Sequence, residues 1–343
     1  MGSGRGREGG QRVVAIGGGT GLPVVLTALK RYLGTRVADL TAVVTVTDDG
    51  GSSGRLREEL SILPPGDIRN CLVALAEVAP LMAELFQYRF GGDGALAGHS
   101  FGNLFLAALA GVTGNFLQAI RISGKVLAVR GAILPSTPES VTLGAELADG
   151  SLVLGESRLA RQGKPVRRVF LEPATARALP EVLEAIDRAH AVVLAPGSLY
   201  TSLVPNLLVG GVADALRQSA ALRIYVANLM TEPGETDGMS IADHLEALHR
   251  HAGRGIVDGV LAHNRPFPAE VLRRYAEAGA EPVALDRERL HPLGVWVIEA
   301  DLTGGTGLAR HHPEKLGRAV VRLCRHGGPA RGAALARTRG SGA

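Results

Sequence analysis

The chain has 343 residues, 46% hydrophobic and 20% charged, with net charge +4 and two cysteines, Cys71 and Cys324, so it can bury a sizeable core and carries no disulfide framework. No apolar run approaches the roughly 18 residues of a membrane helix, and the first residues, Met1 to Arg7, lack the apolar core of a secretory leader. Arg5, Arg7 and Arg12 against Glu8, with Arg331, Arg337 and Arg339, together exceed the net charge, so the core between the ends is slightly negative; with 4% aromatics it offers no nucleic-acid platform.

In chain order, residues 1–11 read as a disordered tail of Gly, Ser and Arg. Residues 12–16 are an apolar run of strand length, followed by Gly17, Gly18, Gly19, Thr20 and Gly21 and a helix over 20–33. A second strand, 40–47, ends in Asp48 and Asp49 and runs into Gly50, Gly51, Ser52, Ser53, Gly54 and Arg55. Residues 66–123 lack strand signals and read as a helical insertion, with Asp67 placed to cap one helix and Ser100 at the start of another. Segments 126–134, 141–147 and 152–157 alternate like strands, and Asp149–Gly150 marks a hairpin between the last two. Further strand-length runs at 191–195, 222–228, 256–262, 282–286 and 295–302 alternate with helical patterns, and residues 326–343 read as a disordered basic tail.

Strands alternating with helices predict one domain over 12–325 of α/β class, a Rossmann-like, doubly wound, mostly parallel sheet with a helical insertion and a small β-hairpin addition. Ligands of such sheets bind at the carboxyl ends of the strands, where the strand order reverses. The first glycine loop stands there, and glycines let backbone amides at a helix start approach a phosphate. A dinucleotide fingerprint fails at Leu22, where its third glycine belongs, and a P-loop fails for want of Gly-Lys-Ser/Thr. Asp48 and Asp49 fit a ribose hydroxyl, a substrate hydroxyl or Mg²⁺, with Arg55 and Arg57 in reach of a phosphate or of those carboxylates; a solvated Asp-Asp turn is the plain alternative. Two later loops occupy the same edge: Gly197, Ser198, Leu199, Tyr200, Thr201 and Asn206 after one strand, Asn228 and Thr231 after the next.

Taken in order, Gly17–Gly21, Asp48 to Arg57, the run Leu63-Pro-Pro-Gly-Asp-Ile-Arg-Asn70, Pro196 to Ser202 and Asn228 to Thr231 resemble the YvcK family of gluconeogenesis factors, which belongs with the 2-phospho-L-lactate transferase (CofD) superfamily. The likeness covers residues 12–325. It implies a cytoplasmic protein that binds UDP-N-acetylglucosamine or a related UDP-sugar and is needed for cell shape and cell-wall synthesis during gluconeogenic growth, with regulatory partners in that process. In the transferase relatives the same edge takes a guanine nucleotide and a deazaflavin acceptor, with Mg²⁺ aiding phospholactyl transfer. Arg310, in a segment similar to a family Arg-His-Asp-Pro run, is the implied contact to the UDP-sugar. His312 stands where an acid is usual, and Glu232 where the family tends to carry Gln.

Other residues carry less. Asn103 joins the ligand set, as does Lys125, which can neutralise a phosphate or lie solvated. His99 reads as a capping or core histidine rather than a base, and His244 as half of a structural pair with Asp243. Adjacent His311 and His312 diverge and lack a third ligand. No Gly-x-Ser-x-Gly elbow or activated cysteine supports a nucleophile. If chemistry occurs, Asp48 or Asp49 with Mg²⁺ and Arg55 are the expected participants, and no cofactor beyond that metal is called for. The expected function is ligand binding by a metabolic regulator, a homo-oligomer, with a phospholactyl-type transferase as the alternative.

Overall fold

The computed structural model describes residues 10–159, 161–304 and 307–326; the two expected tails lie outside them save at their inner ends. There Gln11 already belongs to the first strand and His326 to the last helix, so the folded core is slightly longer than 12–325.

Val13, Val14, Ala15 and Ile16 are at most 2% exposed, which only a strand covered on both faces allows. They form β1 (Gln11–Gly17), at the heart of a seven-stranded parallel sheet. Its other strands are β2 (Val37–Val44), β3 (Ala132–Pro135), β7 (Ala191–Leu194), β8 (Leu222–Val226), β9 (Gly259–His263) and β10 (Trp296–Ala300). The order is β10-β9-β8-β7-β1-β2-β3, so the chain builds outward from β1 in one direction and then in the other. The switch point lies between β1 and β7, which pair in register from Val13–Ala191 to Ile16–Leu194.

Helix α1 (Gly21–Lys30) follows β1 and buries Leu22, Val25, Leu26, Ala28 and Leu29, an i, i+3, i+4, i+7 stripe. The stretch read as an insertion, 66–123, is the main part of the crossover from β2 to its parallel neighbour β3. The crossover contains α2 (Gly51–Leu60), ahead of that stretch, then α3 (Pro65–Leu75), α4 (Pro80–Gln87), α5 (Phe101–Thr113) and α6 (Phe116–Val126). Ser100 caps α5 by accepting the Asn103 amide, as its sequence position predicts. Asp67 caps nothing: Pro64 is the cap residue of α3, and the Asp67 carboxylate is engaged elsewhere.

Four expectations change. The hairpin is a three-stranded antiparallel sheet, β5-β4-β6, of β4 (Thr142–Leu147), β5 (Leu152–Leu154) and β6 (Val166–Glu172), and residues 156–159 turn into the short helix α7 (Glu156–Leu159) instead of extending β5. The expected strand 126–134 is split, because α6 ends at Val126 and Ala128 takes φ 46° before β3 begins. Residues 282–286 form a single bridge, Met230 with Pro282, since proline has no amide for a ladder. The first helix ends at Lys30, short of Leu33.

The C-terminal helix Pro313–His326 lies across α1, and Gly317 is the point of closest approach: a methyl there would stand 2.6 Å from the Ala28 carbonyl oxygen. Backbone cannot yield as a side chain does. Gly317→Ala should therefore lower stability by about 1–3 kcal/mol, read as a fall in the urea midpoint at unchanged slope; an unchanged midpoint would show that the two helices are free to part.

Candidate functional site

The switch point is built by backbone demand. A methyl on Gly21 would lie 1.7 Å from the Pro196 carbonyl oxygen, and one on Gly18 would meet Thr45 Cγ2 at 2.5 Å and Asp67 Oδ2 at 2.7 Å. Gly19 takes φ 57° and Gly197 φ 129°, both in the region that favours glycine. Gly17 fits against Ala195. These glycines let the β1 and β7 loops touch; the Gly18 Cβ direction faces the protein interior, so its smallness serves packing before any ligand.

Between the touching loops and the loop after β8 opens a cavity of about 360 Å³. Gly19, Thr20 and Gly21 form one wall, Gly197 and Ser198 the second. Asn228, Thr231 and Glu232 form a third, and Arg310 and His311 close it from the C-terminal segment. Thr20 caps α1 without a side-chain hydrogen bond; the Leu22 amide turns back to the Gly18 carbonyl and Pro23 has no amide, which leaves the Gly21 amide at the cavity wall. The positive end of a helix and a guanidinium on one cavity suit an anion.

The second wall is fixed by side chains from other strands and loops. Asn228 clamps Gly197, accepting its amide at 2.9 Å and donating to its carbonyl at 2.8 Å. Leu199–Leu203 is a π-helical turn, in which the amides of Ser202 and Leu203 both reach the Ser198 carbonyl. Leu199, Tyr200 and Thr201 are buried in that turn, behind the cavity wall; the Tyr200 and Thr201 amides donate to Glu235 Oε1. Asn206, fully buried, donates to the Gly17 and Ser202 carbonyls and so ties the β7 loop to β1.

The residues after β2 gather on the other side of the glycine loop and are not in the lining of this cavity. Asp48 Oδ1 accepts the Gly50 amide at 2.9 Å while Asp49 Oδ1 accepts the Ser157 amide at 2.7 Å, so the two carboxylates turn to different partners. Among the described residues no group of three or more His, Cys, Asp or Glu side chains converges as an all-protein metal set would. Ser52 Oγ lies 3.0 Å from His99 Nδ1 and accepts from Asn103 Nδ2, and Ser53 Oγ accepts the Gly66 amide: these tie α2 to α5 and α3. Arg55 donates to the Ala97 carbonyl and Arg57 to that of Val141, so neither pairs with Asp48 or Asp49. Lys125, exposed in the last turn of α6, precedes the amino end of β3, at the opposite edge of the sheet. His244 Nδ1 bonds the Ser240 carbonyl, and Asp243 serves Ser240 and Arg289, so the expected His–Asp pair does not form.

Sequence reasoning missed the buried acids. Asp67 Oδ2 accepts the Gly19 amide at 2.7 Å and so holds the glycine loop from below. Burial, and then the Asp48 charge, push its carboxyl up to about 6 although the amide bond works the other way. Glu156 accepts from Thr47 and is driven well above the carboxylate range by burial and by Asp48, Asp67, Asp49 and Glu235. Glu232 accepts the Ser198 hydroxyl at 2.8 Å and is raised by burial; Glu235 behind it is pushed up to about 8 by burial and by Glu232. His311, pushed down to about 4 by burial, is neutral. Of the cavity wall, Val24, Leu229, Met230 and Ala309 carried no chemical signal, being apolar.

These acids give stability an unusual sign. Groups raised in the folded state hold protons that the unfolded chain releases, so stability is full at low pH and is lost as pH rises through the folded value. Glu235 titrates near 8, while His99, His244, His249, His251, His263 and His311 are lowered by burial and give stability that rises with pH. The Glu235 contribution is therefore read as a difference: between about pH 7 and 8 the wild type should lose about 1 kcal/mol relative to Glu235→Gln, measured by urea unfolding. Parallel curves for the two proteins would mean that Glu235 is ionised throughout.

The comparisons with known proteins agree with this architecture. Residues 13–303 match the family model described as 2-phospho-L-lactate transferase CofD. Among curated relatives, the "Gluconeogenesis factor" of Halalkalibacterium halodurans is 48% identical, covering 91% of this chain and 96% of its own. That of Bacillus subtilis is 45% identical, over 91% and 98%. A crystal structure of a Bacillus halodurans protein superposes with TM-score 0.88 at 48% identity, covering 91% of this chain and 99% of that one. The chain therefore belongs to the YvcK family of gluconeogenesis factors, within the larger CofD family.

Proposed function

We propose that the cavity at the β1–β7 switch point binds a UDP-sugar of the UDP-N-acetylglucosamine type, and that the protein acts by binding rather than turnover, as a cytoplasmic regulator serving gluconeogenic growth and, through it, cell-wall synthesis and cell shape. The observation that carries the reading is the meeting of the start of α1, at Thr20 and Gly21, with Arg310 across one cavity. A diphosphate carries the charge that such a pair neutralises. The polar groups around it, Asn228, Thr231 and Glu232, are suited to hydroxyls. The relatives' printed name supports the gluconeogenic role.

A phospholactyl-type transfer is the second reading, favoured by the family description over residues 13–303. Against it stands the separation of Asp48, Asp49 and Arg55 from the anion cavity, each engaged with the protein's own backbone.

Calorimetry with UDP-N-acetylglucosamine, followed by mass spectrometry of the mixture, separates the two. Saturable binding with intact ligand is expected; release of UMP or UDP would overturn the regulator. Arg310→Ala should weaken binding by about 1–3 kcal/mol and leave the thermal transition of the free protein unchanged. Equal affinity would remove Arg310 from the site.

A further inference from the structure

Glu232 and Glu235 both hold the turn Ser198 to Thr201, which forms one wall of the anion cavity. Glu232 lines the cavity and accepts the Ser198 hydroxyl at 2.8 Å. Glu235, half-buried, lies outside that lining, and its Oε1 takes the Tyr200 and Thr201 amides. Two carboxylates in so little water cannot both be ionised cheaply, and a bound diphosphate beside them would raise the cost further. The wall must therefore keep a proton when the site is filled.

Resting on the UDP-sugar reading, we infer that Glu232 is the specificity-determining group of the cavity: with Glu235 it forms a one-proton carboxyl pair that accepts a hydroxyl of the ligand's sugar portion and admits the anion only while the proton is held. A phosphate against this wall would face an acceptor and a potential like charge, so phosphates go to the α1 start and Arg310, and the hydroxyls to Glu232.

Several charged groups face the pair. Asp237 shares its loop, and Glu281 braces that loop through Thr231, whose amide donates to the Glu281 carbonyl at 2.7 Å. Arg310 and His311 stand across the cavity, and Glu156 lies beyond Glu235. Arginine is a permanent cation, and His311 is neutral from mildly acid pH upward. Above neutrality the carboxyl pair is thus the element of the cavity whose charge changes.

The test is calorimetry of the full-length protein with UDP-N-acetylglucosamine, whose diphosphate diester does not titrate in this range. With Glu235 titrating near 8, linkage predicts affinity about fourfold weaker at about pH 8.5 than at about pH 6.5. Binding at the higher pH should take up protons, seen as an enthalpy that depends on the buffer. Glu235→Gln keeps an acceptor for the Tyr200 and Thr201 amides and cannot ionise; its affinity should be flat with pH and the proton uptake should disappear. Glu232→Ala removes the acceptor and should lose about tenfold at either pH. A wild-type affinity flat with pH and free of proton uptake would overturn the carboxyl pair, and full affinity in Glu232→Ala would overturn the hydroxyl contact. Failure of the wild type to bind the UDP-sugar at any pH would instead remove the reading on which the pair rests.

Discussion

Everything at the ligand edge depends on one close approach, that of Gly21 at the start of α1 to the carbonyl of Pro196 after β7. A methyl on Gly21 would overlap that oxygen at 1.7 Å, far inside any van der Waals contact. The approach is possible because β1 and β7 are hydrogen-bonded neighbours and both loops leave the sheet at the same level. With the loops in contact, α1 begins on the cavity, and Gly197 is held by Asn228 from the next strand. Three successive parallel strands, β1, β7 and β8, thus contribute one wall each. The cavity is a consequence of strand order, and residues as distant in sequence as Thr20 and Arg310 reach it for that reason.

Much of this framework is legible in the chain because strands covered on both faces must be apolar throughout. β1, β7, β8 and β9 announce themselves as runs rich in Val, Ile, Leu and Ala, and β2 does so in its second half, whereas β10, at the sheet edge, is only partly buried and carries the exposed Glu299. β6 escapes such a reading because Arg167 and Arg168 interrupt its apolar positions; both reach Glu146 on the neighbouring strand, a pairing that no local pattern reveals. Residues 282–286 mislead the other way. Val283 and Leu285 alternate like a strand, yet the segment braces the cavity loop, with the Val283 amide on the Leu229 carbonyl and Asp286 accepting from Ser240 and Ala242.

The site is legible in its loops and not in its supports. Glycines, hydroxyls and an amide at the carboxyl ends of strands are visible signals, and Gly19, Thr20, Gly21, Gly197, Ser198, Asn228, Thr231 and Arg310 do meet at one cavity. Asp48, Asp49, Arg55 and Asn103 carry the same kind of signal but bind the protein's own backbone and hydroxyls on the β2 side. Residue type and strand end are shared by both groups; what separates them is on which side of β1 each loop falls, which strand order alone decides. Asp67 is invisible as a support because its partner, the Gly19 amide, is 48 residues away.

An anion site lined by acids looks self-defeating, and magnitudes resolve it. Keeping a proton on an ordinary carboxyl at pH 7 costs about 3–4 kcal/mol. Ionising it instead, in a desolvated wall against a second carboxylate, costs several kcal/mol per buried charge. Protonation wins at pH 7 for Glu156 and Glu235, while Asp67, raised only to about 6, stays mostly ionised there; all three are raised first by burial, with their neighbours' charges adding to it. The acids behind the glycine loop and the Ser198 turn are thus able to act as neutral or singly charged hydrogen-bonding groups, and the field of the cavity is set by the start of α1 and Arg310. Their partners then divide the roles. Asp67 holds Gly19 and shapes the loop, Glu235 holds the Tyr200 and Thr201 amides, and Glu232 has one oxygen on Ser198 and its side chain on the cavity. Of these three acids, Glu232 is the one the lining places where a ligand can touch it.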